Sequence, residues 1–203
     1  MFVKICGLNT EVSVQAAVEA GADALGFVFA DSPRQVTPAR AAELTRNLPP
    51  GVAKVAVMLH PTAPEWNAVR DEFGPDWLQT DAEDFAALEV PETIGCFPVY
   101  RDRQSADFDN DNTSWPEHML FEGVRSGVGL QPDWDHAAQI AHRTCLMLAG
   151  GLNPENVREA IIRVHPWGVD VSSGVELSPG VKDPDKIAAF VLAAREAEGS
   201  HAG

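Results

Sequence analysis

The sequence predicts a single (β/α)₈ barrel, in which eight parallel strands close into a ring and helices surround them. The first observation is an alternation of about eight short apolar runs with helical segments along 203 residues, a pattern and length typical of a small barrel. The second is a pair of glycine- and serine-rich junctions near the C-terminus, L-A-G-G-L at 148–152 and V-S-S-G-V at 171–175. A doubly wound open sheet is the alternative fold.

The predicted strands are short apolar runs that stop at small or polar residues. The run at 24–29 is nearly continuous, as expected for a parallel strand buried on both faces. In chain order the eight strands are predicted at 2–6, 24–29, 53–58, 77–80, 94–99, 119–121, 145–149 and 169–171.

Apolar residues at helical spacing follow most of these runs. The predicted helices cover 12–20, 38–47, 64–73, a weaker unit at 82–88, 134–142, 154–164 and 184–196. Gly21 ends the first, and Pro38 begins the second at a position that favours proline. Residues 101–116 are rich in Asp, Asn and Ser without an apolar stripe, so the fifth helix is either degenerate or replaced by a mobile loop.

Composition narrows the classes of function and location. The formal net charge of −15 disfavours nucleic acid as a partner, because phosphate backbones require clusters of Lys and Arg. Three cysteines without metal-ligand spacing predict neither a disulfide framework nor a metal site. With no signal peptide or membrane-spanning run, we expect a cytoplasmic protein without a membrane partner, either a monomer or a homodimer.

The two late junctions predict a phosphate site. Backbone N–H groups at helix starts attract anions, and glycine lets a ligand approach the main chain closely. In a (β/α)₈ barrel the loops after strands seven and eight often hold a phosphate. The alternative is two ordinary turns that happen to need glycine. The candidate phosphate-binding residues are Gly150, Gly151, Ser172, Ser173 and Gly174.

Three further candidates lie at predicted strand ends, where the chemistry of barrels is located. Cys6 ends strand one, Arg34 follows strand two with a guanidinium suited to a carboxylate or phosphate, and Glu122 ends strand six as a candidate proton donor. The alternatives are a packing thiol, a solvated loop arginine and a carboxylate at the rim. Cys145 begins strand seven at the opposite face, and Cys96 is interpreted as a small core residue.

Strand alternation predicts a buried ion pair. Val3 and Ile5 should face the helices, so Lys4 and Cys6 should point into the barrel. An inward lysine requires an acidic partner, and Asp170 stands between two valines on strand eight, which adjoins strand one when the barrel closes. We therefore expect a Lys4–Asp170 pair among the substrate-binding residues, and we expect Lys4 to favour the thiolate of Cys6.

These residues lie in motifs that resemble the phosphoribosylanthranilate isomerase family. The motifs extend over nearly the whole chain: K-I-C-G at 4–7, G-A-D-A-L-G-F-V-F at 21–29, S-P-R at 32–34, L-A-G-G-L-N-P-E-N-V at 148–157, V-D-V-S-S-G-V-E at 169–176 and P-G-V-K-D at 179–183. The resemblance implies a (β/α)₈ barrel of tryptophan biosynthesis that isomerises N-(5-phosphoribosyl)anthranilate without metal or cofactor.

The resemblance also implies roles for individual residues. Cys6 matches the family's general base, and Arg34 matches the arginine that binds the anthranilate carboxylate. Two positions depart from the family pattern: Glu122 replaces an aspartate that acts as general acid, and Asp81, in Q-T-D-A at 79–82, replaces a histidine. Asp81 could then act as a donor or alter substrate preference, so the general acid is either Glu122 or Asp81.

Two other functions fit the same residues. A related barrel of histidine biosynthesis performs the same rearrangement on an aminoimidazole-carboxamide ribonucleotide, normally with two aspartates, and Cys6 argues against that activity. The third possibility is a barrel that binds a phosphorylated ligand without turnover, motivated by the changes at Glu122 and Asp81.

Overall fold

The computed structural model describes residues 1–102, 115–124 and 131–199. Eight parallel strands close into a barrel in which each strand pairs with its neighbours in chain order and β8 pairs with β1. The predicted fold is confirmed. The strands are β1 (Phe2–Cys6), β2 (Ala24–Val28), β3 (Ala53–Val57), β4 (Trp77–Asp81), β5 (Gly95–Arg101), β6 (His118–Glu122), β7 (Cys145–Leu148) and β8 (Gly168–Val171).

Helices surround this ring, and none within the described ranges combines the length and apolar character needed to cross a bilayer. A 3₁₀ helix (Ala82–Ala87) occupies the weaker fourth unit. Residues 103–114, which include most of the predicted degenerate fifth helix, lie outside the described residues. The α-helices are α1 (Glu11–Ala20), α2 (Pro38–Leu44), α3 (Ala63–Phe73), α4 (Trp134–Ala141), α5 (Val157–Val164) and α6 (Pro184–Gly199).

Local signals define several helix ends. Thr10 and Thr62 begin α1 and α3 with capping boxes, in which the threonine side chain accepts a backbone N–H and the third helical residue bonds back to the cap. Gly21 and Gly74 end the same helices in the left-handed conformation. These caps satisfy backbone groups that the helices themselves leave unpaired, so the helix boundaries follow from the sequence.

A small β-hairpin lies between β8 and α6, and nothing in the apolar pattern predicts it. Its strands are β9 (Glu176–Ser178) and β10 (Val181–Lys182), which pair antiparallel. The hairpin directly follows the V-S-S-G junction, so it extends the loop at the carboxyl end of β8.

The core has two layers. Outward strand residues such as Val3 and Ile5 pack with the helices in one apolar cluster, while a second cluster fills the barrel interior. At the amino ends of the strands the interior is closed by stacked rings, Phe2 on Trp167 and Trp77 on Phe97, with centroids 4.5 and 4.3 Å apart. At the opposite, carboxyl end the polar side chains of Asp81, Glu122 and Asp170 line a cavity.

The predicted Lys4–Asp170 pair is confirmed. Lys4 is aligned with Asp170 in the β1–β8 register, and Nζ lies 2.7 Å from Oδ1. Lys4 is completely buried, and Asp170 is 8% exposed. A charged group in such surroundings is stable only beside an opposite charge, so this pair fixes β8 against β1 where the barrel closes.

We predict that Lys4→Met lowers the free energy of unfolding by about 3–5 kcal/mol, because it leaves the buried Asp170 carboxylate without its partner. The double variant Lys4→Met/Asp170→Asn should lose distinctly less, since neither side chain is then charged. Urea unfolding at neutral pH measures both values. Equal losses in the single and double variants would contradict this account of the pair.

Candidate active site

A cavity of about 250 Å³ opens at the carboxyl ends of the strands. It brings together predicted residues that are far apart in the sequence, and Lys4 and Gly174 are the two predicted residues that do not line it. The lining includes Cys6, Arg34, Asp81, Arg101, Glu122, Gly150, Gly151, Asp170, Ser172 and Ser173.

The glycines after β7 form one half of an anion cradle. Gly150 and Gly151 both have positive φ, 89° and 66°, a conformation that glycine adopts without steric cost. Asn156 fixes this loop, because its side-chain amide donates to the Gly151 carbonyl at 2.9 Å and its Oδ1 accepts from the Asn153 N–H at 2.8 Å. The N–H groups of Gly150 and Gly151 donate to no other described residue, so they are available to a ligand.

The loop after β8 forms the other half and touches the first. A Cβ atom on Gly174 would lie 1.9 Å from the Leu152 carbonyl oxygen, so only glycine permits this contact. Ser172 and Ser173 line the cavity beside the glycine loop, whereas Gly174 lies behind them. The two junctions therefore meet at the cavity, and Gly174 permits the two loops to pack together.

Cys6 points into the barrel beside Gly26 of β2, where a Cβ atom would lie 3.1 Å from both the Cys6 Sγ and the Lys4 Nζ. The absence of a side chain at Gly26 therefore makes room for both groups. Burial raises the pKa of the Cys6 thiol, Lys4 opposes that effect, and Asp170 adds to it, so that the net pKa lies above its ordinary value. Lys4 favours the thiolate as expected, but burial outweighs it.

Lys4 acts behind the cavity. Its side chain is fully buried and bonded to Asp170, so the expectation that Lys4 contacts a ligand directly is not supported by this geometry. The pKa of Lys4 is raised, because the charges of Asp170 and Cys6 outweigh the effect of burial. The positive form of Lys4 is therefore favoured beneath the thiol.

Arg34 is held in a network that the sequence did not reveal. Its Nε and Nη2 donate to the two oxygens of Glu176 at 2.7 and 2.9 Å. Glu176 also accepts from the buried Lys182 at 2.8 Å, and Lys182 donates to the Ser172 carbonyl at 2.9 Å. At Gly7 a Cβ atom would lie 2.5 Å from the Arg34 side chain, so Arg34 crosses the chain immediately after Cys6.

Asp81 is bound to a second arginine. Arg101, the last residue of β5, donates to both Asp81 oxygens at 2.9 and 2.7 Å. Its Nε lies 3.6 Å from the Glu122 carboxylate, which makes an ion pair but is beyond hydrogen-bond distance. His60 approaches Asp81 from the β3 loop at 3.5 Å, and hydrogen bonding to Asp84 raises the pKa of His60.

Arg101, Glu176 and Lys182 are thus the functional candidates that the sequence reasoning missed. Glu176 and Lys182 lie in the motifs V-S-S-G-V-E and P-G-V-K-D quoted above. Considering the charged residues of those motifs would have identified both. Arg101 was not identified as a candidate, because strand five was predicted to end at Val99, two residues before its end in the structure. Among the described residues, no group of three or more His, Cys, Asp or Glu is placed to bind a metal ion.

Comparison with known proteins agrees with this geometry. The model of the N-(5'phosphoribosyl)anthranilate isomerase family matches residues 3–193. An N-(5'-phosphoribosyl)anthranilate isomerase of Listeria welshimeri is 42% identical, over 98% of this chain and all of that protein.

Solved structures of the same name share the fold. Phosphoribosyl anthranilate isomerase from Thermotoga maritima is 32% identical with a TM-score of 0.82, covering 97% of this chain and 99% of that one. A phosphoribosyl anthranilate isomerase in complex with reduced 1-(o-carboxyphenylamino)-1-deoxyribulose 5-phosphate is 32% identical, with the same coverage and a TM-score of 0.79. The chain belongs to the N-(5'-phosphoribosyl)anthranilate isomerase family.

Proposed function

We infer that this chain isomerises N-(5'-phosphoribosyl)anthranilate to 1-(2-carboxyphenylamino)-1-deoxyribulose 5-phosphate in tryptophan biosynthesis. The observation that carries this inference is one cavity, in a member of this family, that joins a thiol, an arginine and an anion cradle. Cys6 comes from β1, Arg34 from the loop after β2, and the cradle from the loops after β7 and β8.

The two charged ends of the substrate are bound by different parts of the cavity. The phosphate is bound by the N–H groups and hydroxyls of the loops after β7 and β8, as anions bind at such backbone turns. The anthranilate carboxylate is bound by Arg34, whose planar group matches it. These local donors matter because the chain as a whole, with its net charge of −15, repels an anionic substrate at long range.

Glu122 acts as the general acid. It protonates the furanose ring oxygen, the C1–O bond breaks, and the nitrogen lone pair completes a protonated Schiff base at C1. Asp81 is less suited to this step, because both of its oxygens accept N–H groups of Arg101. Support for Glu122 comes from its place in the cavity at the carboxyl end of β6.

Cys6 acts as the general base. Its thiolate takes the proton from C2, and the electrons of that C–H bond move to the C1–C2 bond and neutralise the protonated imine as an enolamine. Protonation at C1 and loss of the C2 hydroxyl proton then give the ketone. Lys4 lies beneath the thiol and favours its charged form, while Asp170 holds Lys4 in place.

The partner is accordingly a phosphorylated small molecule. We propose that the chain works in the cytoplasm as a monomer or homodimer, without nucleic acid, membrane, metal or cofactor. Support comes from its acidic composition and from the acid and base groups already present in the cavity.

We predict that Cys6→Ala lowers kcat by at least about a hundredfold, because the general base is lost. The variant should remain folded, since alanine fits the same space. An anthranilate-fluorescence assay of turnover measures the effect, and Cys96→Ala, at the other end of the barrel, is the matched control. Full turnover in Cys6→Ala would exclude Cys6 as the base.

The identity of the acid can be tested separately. Glu122→Gln should lower kcat about a hundredfold or more, because an amide cannot supply the proton. Asp81→Asn should lower it much less, since it removes only a partner of Arg101. Steady-state kinetics on the same substrate compares the two, and a loss confined to Asp81→Asn would transfer the acid role to Asp81.

The raised pKa of Cys6 predicts the pH dependence of its reactivity. In a Cys96→Ala/Cys145→Ala background, alkylation by iodoacetamide should keep increasing above the ordinary thiol pKa of about 8.5, because the buried thiol ionises late. A midpoint below the ordinary thiol value would contradict this electrostatic account.

A further inference from the structure

We propose that Glu176 is a positioning residue, which orients Arg34 for the substrate carboxylate and at the same time ties it to the phosphate cradle through Lys182. This inference rests on the proposed isomerase function. Glu176 is not among the residues that line the cavity, whereas Arg34 and Ser172 are. Any effect of Glu176 on the substrate therefore passes through its two cationic partners.

The first contact determines the orientation of Arg34. The guanidinium donates through Nε and Nη2 to the two oxygens of Glu176, which is the parallel two-bond arrangement favoured by arginine and carboxylate. Both side chains are mostly buried, with 12% of Arg34 and 4% of Glu176 exposed. One edge of the guanidinium is thus fixed by Glu176, and Nη1 is not engaged by it.

The second contact reaches the cradle. The same Glu176 oxygen that accepts from Arg34 Nε also accepts from the Lys182 ammonium, whose side chain is fully buried. Lys182 in turn donates to the Ser172 carbonyl and lies 3.3 Å from the Ser172 hydroxyl. A single carboxylate therefore connects the arginine after β2 with a serine at the end of β8.

The hairpin that carries Glu176 and Lys182 is itself fixed to the loops at the mouth. Gly180, at its turn, has φ of 83°, and a Cβ atom there would lie 2.4 Å from the Pro33 carbonyl oxygen. Asn9 donates to the Gly180 carbonyl at 3.1 Å, and Lys186 donates to the Glu176 carbonyl at 2.9 Å. These contacts leave Glu176 little freedom, as a positioning group requires.

The arrangement of Arg34, Glu176 and Lys182 requires the negative charge of Glu176. Without the Glu176 carboxylate, Arg34 and Lys182 would be two mostly buried cations facing each other with no anion between them. A glutamine of the same shape can accept a hydrogen bond but supplies no charge, and its NH₂ group would face a cation. Glu176→Gln should therefore release Arg34 from its orientation while changing the volume of the side chain very little.

The test uses two ligands that differ only in the carboxylate. They are reduced 1-(o-carboxyphenylamino)-1-deoxyribulose 5-phosphate and its phenylamino counterpart, measured by calorimetry. In the wild type the carboxylated ligand should bind more tightly. In Glu176→Gln that preference should fall by about tenfold or more, as expected when charged hydrogen bonds lose their geometry. The double variant Arg34→Gln/Glu176→Gln should lose no more than Arg34→Gln alone.

Two further variants separate positioning from stability. Lys182→Met should weaken both ligands equally through the cradle and preserve the preference for the carboxylate. Glu43→Gln is the matched control, because Glu43 forms an exposed pair with Arg40 on α2, and it should change neither affinity. If Glu176→Gln does not fold, Glu176→Asp replaces it, and its shorter carboxylate should give a smaller loss of the same preference.

The outcomes distinguish the two proposals. A wild type that neither turns over the substrate nor binds the carboxylated ligand would overturn the isomerase function. A wild type that does both, with a carboxylate preference unchanged in Glu176→Gln and Glu176→Asp, would overturn the positioning role. A fall in melting temperature alone, with the preference intact, would show that Glu176 only stabilises the fold.

Discussion

The active end of this barrel depends on the mutual neutralisation of buried charges. Lys4 and Asp170 lie beneath the cavity, and Glu176 and Lys182 lie beside it, all less than 9% exposed. An ion removed from water costs several kcal/mol unless an opposite charge is close. Each of these side chains is therefore stable in only a narrow range of positions. The ion pairs in turn restrict the positions of the anion cradle, Arg34 and Cys6.

The same constraint explains how an acidic protein binds an anion. The overall charge opposes the substrate, but Arg34 and Arg101 line the cavity and Lys182 lies beside it. Glu176 is shared by Arg34 and Lys182, and Asp81 binds Arg101. These carboxylates offset part of the local positive charge before a ligand enters. The phosphate is then bound by backbone N–H groups, which are uncharged and therefore need no counterion.

The sequence was sufficient for those features that depend on local periodicity. Eight strands follow from apolar runs, and the Lys4–Asp170 pair follows from strand alternation combined with barrel closure, because both are rules about neighbouring positions. The contact between the two late junctions follows from the same topology. Features that depend on the order of residues within a strand or turn can therefore be predicted from the sequence.

Features that depend on contacts between side chains of different loops could not be predicted from the sequence. The hairpin of Glu176–Ser178 and Val181–Lys182 has too few apolar residues to produce a strand signal, yet it determines where Arg34 points. The direction of the Cys6 pKa is a second case. The neighbouring lysine suggested an easier thiolate, but the sign depends on how completely the thiol is buried, and burial is a property of the whole barrel.

The departures from the family pattern at β4 and β6 are best understood together. Asp81 adds a second carboxylate to the side of the cavity that holds Glu122. Arg101 lies between them and binds Asp81 with two nitrogens, while its third nitrogen stays 3.6 Å from Glu122. Arg101 thus pairs with both carboxylates, through two hydrogen bonds to Asp81 and an ion pair with Glu122. Arg101 thus offsets the added carboxylate, and the thiol, Arg34 and the anion cradle remain together in one cavity, which favours an active site over one that has kept only phosphate binding.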